Sequence, residues 1–165
     1  MNSRKPLANR LSVLTVVVSR YLGFLMFANL AWEFAHMPLY TLWYEGSRSE
    51  IVLSGLHCTF GDLMIASLSL FAGVLFAGRS DWPTNQKINV AIVTIVIGLS
   101  YTAFSEWMNV YVREAWRYSI SMPVLPGTGL GVSPLAQWFV LPVIGFALAY
   151  RGAPSATSTV FRKKN

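Results

Sequence analysis

Cysteine occurs once, at Cys58, in the whole 165-residue chain. A single thiol excludes an internal disulfide, a Cys-x-x-Cys redox pair and a cysteine zinc cluster within one molecule. Charge is scarce as well. Asp, Glu, Lys and Arg together make up 12% of the residues, where a soluble domain averages about 25%. With 54% hydrophobic residues and a mean hydropathy of +0.48, this excludes an ordinary water-soluble fold and predicts a polytopic membrane protein. No polar segment is long enough to fold separately, so residues 1–165 form a single transmembrane domain. There is no internal repeat and no low-complexity tract. The net charge of +6 would raise nucleic acid as a partner in a soluble protein. Here the basic residues gather at the chain ends and in one loop, where they control topology; the partner they imply is the lipid bilayer, not nucleic acid.

What is present is apolar sequence in four blocks, at about 11–43, 51–77, 88–112 and 134–150. Each is long enough to cross a bilayer, which takes about 20 helical residues (range roughly 17–25). The expected fold is therefore an all-α integral membrane four-helix bundle. The first ten residues resemble the basic start of a secretory signal, but Arg20 interrupts the apolar run that follows, which then continues to Trp43; a retained first span is expected. Arg20 should snorkel to the near interface. Pro38 should kink or end the first helix just past His36, because proline removes a backbone hydrogen bond there. The Asp81-Trp82-Pro83 stretch signals a turn.

Orientation follows from Lys and Arg. Nine of them (Arg4, Lys5, Arg10, Arg79, Lys87, Arg151, Arg162, Lys163 and Lys164) fall on one side and three (Arg48, Arg113 and Arg117) on the other. The excess places both termini in the cytoplasm. Trp43, Trp107, Trp116 and Trp138 then collect near the outer interface as an aromatic belt.

The few ionisable residues inside the spans are not scattered. Asn29, Glu33, His36 and Tyr40 recur at i, i+4, i+7 and i+11, on one face of a helix. Thr102, Glu106, Asn109 and Arg113 repeat that spacing in the third span. Cys58, Asp62, Ala66, Ser69 and Gly73 form a small-residue stripe in the second, suited to close helix packing. His57 lies about one helical step off that stripe. A charged side chain at membrane depth costs roughly 2.5–3.5 kcal/mol on insertion scales and needs a partner within the protein. Given alternating span directions, Glu33, His36, His57, Asp62 and Glu106 all fall in the outer halves of three helices, beneath a Pro/Gly-rich loop at 113–133. A shared polar pocket is expected there.

Carboxylates beside histidine in a desolvated site suit general acid/base chemistry near neutral pH. Glu33 and His36 are the candidate acid/base pair, with Asp62 and Glu106 as further catalytic groups that stabilise developing positive charge. Asn29, Tyr40, His57, Trp107, Asn109, Trp116 and Tyr118 are candidate substrate contacts, and Trp32 is a further aromatic able to face a cation. The expected cargo is a hydrophobic small molecule of the lipid, isoprenoid or quinone-like kind. Two other classes stay open: a metal- or haem-binding protein, with His36, His57, Glu33, Asp62 and Glu106 as the ligand set, and an accessory subunit of a membrane complex whose polar cluster only ties helices together. Gly127-Thr-Gly129-Leu-Gly131 is not a nucleotide loop, since no strand precedes it and no Lys-Ser/Thr follows.

The stretches Leu56-His57-Cys58-Thr59-Phe60-Gly61-Asp62, Glu106-Trp107-Met108-Asn109, Trp116-Arg117-Tyr118-Ser119 and Gln137-Trp138, with Trp32-Glu33 and Pro38-Leu39-Tyr40, resemble a group of small bacterial four-span inner-membrane proteins of unknown function. The resemblance covers most of the chain from Trp32 to Pro142. It implies a multi-pass protein of the bacterial inner (plasma) membrane and carries no reaction or cofactor with it.

Overall fold

The computed structural model describes residues 4–78 and 82–152, with side chains from residue 11 onward. The described residues are helical with no named strand, and four helices are long and apolar enough to cross a membrane. Helix α1 spans Arg4–His36, a short α2 spans Leu42–Glu45, α3 spans Arg48–Gly73, α4 spans Lys87–Trp107 and α5 spans Val132–Ala149. Wide π-turns prolong α3 over Val74–Gly78 and α4 over Met108–Val112.

The first block is not one helix. The α-helix stops at His36, and Pro38 sits in a 3-10 turn at Met37–Leu39 before α2 begins. Proline has no N–H to give the preceding turn, so the helix gives way where it enters. The 33 residues of α1 rise about 50 Å at 1.5 Å per residue, more than a hydrocarbon core of about 30 Å requires. Arg20 Nη1 donates to the Arg151 carbonyl at 2.8 Å, beyond the end of α5, which ties α1 to the end of the bundle opposite His36. The α3 start is fixed by a capping box: Ser47 and Glu50 satisfy each other's backbone N–H groups.

Helix α1 packs on α3 and α5, and α4 packs on the same two, so the spans form a ring in the order α1, α3, α4, α5. The two ends of that ring differ. Toward the chain termini lies an apolar core of Val17, Tyr21, Leu25, Leu70, Val90, Leu141 and Phe146, with Trp82 and Ala149 at its base. At the other end lie the buried polar side chains Asn29, Glu33, His36, Asp62, Glu106 and Gln137. Helices α3 and α4 touch closely at the apolar end, where a Cβ on Gly73 would stand 3.0 Å from the Val90 carbonyl and collide with the Thr94 hydroxyl. At Gly61, three turns along α3, a Cβ would meet nothing within 4 Å. Met64 and Leu68 of α3 and Ile97 and Tyr101 of α4 line one open cleft there, so the two helices splay apart toward the polar end.

That end carries a lid made by residues 113–131. Its strand-like part pairs with the segment released by Pro38: the Thr41 N–H donates to the Arg117 carbonyl at 3.0 Å and the Ser119 N–H to the Leu39 carbonyl at 2.9 Å, around an antiparallel bridge between Tyr40 and Tyr118. The Tyr111 hydroxyl donates to the Gly129 carbonyl at 2.8 Å and pins the lid's tip to the end of α4. The side chains of Arg4, Lys5 and Arg10, and the whole of Arg79, Asp81, Arg162, Lys163 and Lys164, lie outside the described residues, so the positive-inside orientation rests on the sequence.

Candidate functional site

Three helices, α1, α3 and α5, contribute to one hydrogen-bonded cluster, and its hub is Gln137. This amide, 2% exposed in α5, donates to Asn29 Oδ1 at 3.0 Å, to Glu33 Oε1 at 3.1 Å and to Asp62 Oδ2 at 3.0 Å. Its neighbour Trp138 donates its indole N–H to the second Asp62 oxygen at 3.1 Å. Glu33 Oε2 lies 3.2 Å from His36 Nε2, and His36 Nδ1 lies 3.0 Å from Ser133 Oγ. Trp32 Nε1 donates to that same hydroxyl at 3.3 Å. The imidazole is thus held between a carboxyl group and a hydroxyl, the arrangement that fixes a ring's orientation for proton transfer.

Glu106 stands on α4 across from this cluster and accepts from the Tyr118 hydroxyl, which in turn accepts from the Gly131 N–H at 3.0 Å. Tyr40 lies between the two halves, its ring 5.4 Å from His36 and 5.6 Å from Tyr118. Tyr118, in the lid, has its pKa raised above the ordinary tyrosine value, first by burial and then by the Glu106 carboxyl group. It stays a neutral donor at any physiological pH.

These groups border a cleft of about 1260 Å³ between α1, α3, α4 and the lid. Gln137, Trp138 and Ser69 form its floor, while Trp116, Ala115 and Arg117 roof it. On the flank between the splayed helices it is bordered by Leu53, Met64, Leu68 and Tyr101, each more than half exposed on the surface that faces lipid in a four-span protein.

Of the residues singled out from sequence, Glu33, His36, Tyr40, Asp62, Glu106, Asn109 and Trp116 border the cleft. Asn29 is buried beside Glu33 and reaches the cluster through Gln137. Tyr118 acts through Glu106 from the lid. Asn109 turns back on its own helix, giving its amide to the Ser105 carbonyl at 2.8 Å. His57 lines the cleft as an exposed side chain apart from the carboxyl cluster, as its one-step offset from the α3 stripe implies. Trp107 does not join: one residue past Glu106, it is rotated away, 47% exposed and packed on Phe104. Trp138, expected in an interfacial belt, is 3% exposed at the cleft floor instead. The set His36, His57, Glu33, Asp62 and Glu106 does not assemble as a metal centre; among the described residues no three His, Cys, Asp or Glu side chains converge at ligand spacing.

Sequence reasoning missed Gln137, Ser133 and Trp138 as members of the cluster. A signal existed. Gln137 is the only amide in α5, whose other polar residue is Ser133, and a lone amide in an apolar span demands a partner as a carboxylate does.

Fold and cluster together define an all-α protein with four candidate membrane spans and a polar cleft buried at one end of the bundle. Scans of protein-family models, curated proteins and solved structures give no match to this chain.

Proposed function

We propose that the chain takes up a hydrophobic small molecule from the bilayer into the polar cleft and converts it by acid/base chemistry at Glu33 and His36. The observation that carries this reading is the Glu33–His36 pair itself, 3.2 Å apart and each less than a tenth exposed, bordering a cleft that is flanked by lipid-facing side chains. A carboxyl group and an imidazole in contact can pass a proton between them and a third, bound group. Asp62 and Glu106 supply negative charge where a protonated intermediate would carry positive charge. The apolar core beneath the cleft offers no continuing polar path, which favours chemistry on a bound molecule over transport of protons through the bundle. A purely structural cluster, as in an accessory subunit, would need no cleft beside it. We place the protein in the bacterial inner membrane with both termini in the cytoplasm and the lid outside.

Purification into lipid nanodiscs followed by mass spectrometry of extracted small molecules tests this. The wild type should carry an enriched apolar compound. Gly61→Leu should lose it, because the new side chain projects into the open space beside α3. Glu33→Gln should retain the compound and fail to convert it. Identical extracts from wild type and Gly61→Leu would refute the proposal.

A further inference from the structure

Hydroxyls on apolar helices ordinarily give their hydrogen to the carbonyl one turn back, and this chain follows that habit repeatedly. Thr15 bonds to Leu11, Thr59 to Gly55 and Ser67 to Leu63 at 2.7–3.0 Å. Thr102 does not. Its side chain is 6% exposed and borders the cleft, and its Oγ1 has no hydrogen-bond partner. The indole N–H of Trp116, in the lid and bordering the same cleft, is also buried without a partner. Leaving such a group buried and unpaired forfeits its hydration with nothing in return. Two in one cleft, with the Glu106 carboxyl group one helical turn from Thr102, describe the complement of a bound polar group.

The chemistry of the three narrows what that group is. An indole N–H only donates, a carboxylate only accepts, and a threonine hydroxyl does both. An anionic head would stand among Glu33, Asp62 and Glu106 with His36 as the one buried basic side chain beside them, the cleft's other basic residues, His57, Arg113 and Arg117, being exposed. An ammonium head would leave the Trp116 N–H without an acceptor. A neutral hydroxyl can satisfy all three, its two lone pairs accepting from Trp116 and Thr102 and its hydrogen going to Glu106. We propose that the cleft's ligand is an uncharged lipid with a hydroxyl head, anchored by Thr102, Glu106 and Trp116, with its chain lying between α3 and α4 along Met64, Leu68 and Tyr101. This rests on the reading that the cleft takes up a hydrophobic small molecule, and it names the class.

Saturable binding of tritiated hexadecanol, hexadecanoate and hexadecylamine to the protein in nanodiscs, above empty nanodiscs, tests it. Hexadecanol should bind more tightly than the acid or the amine. Thr102→Val, equal in shape, should weaken hexadecanol about tenfold, the loss of one hydrogen bond to a polar head. Trp116→Phe should also weaken it, and Thr102→Ser should restore it. Thr94→Val removes the other buried threonine hydroxyl without a partner, which lies outside the cleft, and should leave binding unchanged. Equal or tighter binding of the acid or amine, or equal hexadecanol affinity in wild type and Thr102→Val, overturns the hydroxyl assignment while leaving uptake into the cleft standing. So does equal loss in Thr94→Val. Absence of saturable binding by all three probes to wild type overturns both.

Discussion

Gln137 has two amide hydrogens and faces three oxygens, on Asn29, Glu33 and Asp62. In water such competition is harmless; at 2% exposure the geometry of three helices depends on it. Gln137→Leu keeps the volume and removes the donor, leaving buried acceptors on α1 and α3 unpaired. We expect it to destabilise the bundle by about 1–3 kcal/mol, read from reversible unfolding in mixed micelles. Gln137→Glu should be worse, since it adds a fourth carboxyl group. Tyr118 gives a second residue-level test. Burial is the larger cause of its raised pKa and the Glu106 carboxyl group the smaller, so Glu106→Gln should bring its ionisation part of the way back toward the ordinary value of about 10. The sign for stability follows. With the folded pKa above the unfolded one, the contribution of Tyr118 is fully present below about pH 10 and is lost as pH rises through the folded value. Spectrophotometric titration of Tyr118→Phe beside wild type should show one high-pH tyrosine fewer.

Helical spacing was enough to find Asn29, Glu33 and His36 on one face and Thr102 and Glu106 on another, because a helix repeats every 3.6 residues whatever it packs against. Tyr40 instead reaches the cleft from extended backbone past Pro38, and Asn109 lies in the π-turn that follows α4. The end of α1 at His36 was legible for another reason, the backbone hydrogen bond that Pro38 cannot make. Periodicity turns Trp107 away one residue past Glu106, but it could not tell that Trp138 turns in, since which side of α5 meets Asp62 depends on how the four helices are arranged in the ring. Nor does periodicity report splaying. Close approaches between helices are set by pairs far apart in sequence. Gly73 lies against Thr94 and Val90, whereas Gly98 lies under the Trp138 ring, where a Cβ would stand 2.5 Å from Cε3. Gly98→Ala should therefore push Trp138 off Asp62 and destabilise by about 1–3 kcal/mol, the usual range for overpacking. Gly61→Leu, which meets open space, should unfold at the wild-type denaturant concentration. The contrast between the two glycines separates the closed α4–α5 contact at Gly98 from the open space beside α3 at Gly61 without reference to any ligand.

At the scale of the whole molecule, the two ends of the bundle do different things. One is sealed by aliphatic and aromatic packing around Leu25, Leu70 and Phe146; the other keeps its carboxyl groups behind a lid hydrogen-bonded to the chain that follows Pro38. On the proposed function, the leaflet that would supply the cleft therefore turns on orientation alone. The nine-to-three distribution of Lys and Arg predicts the lid outside, since charge bias over short loops governs insertion. Alkaline phosphatase fused after Gly46, in the turn between α2 and α3, should be active in intact cells, and the same enzyme fused at the C-terminus should be inactive. The reverse pattern would place the lid and its tyrosines in the cytoplasm. The Glu33–His36 chemistry would be unaltered, but the cleft would then draw its ligand from the inner leaflet, and a hydroxyl lipid confined to the outer leaflet would never reach Thr102.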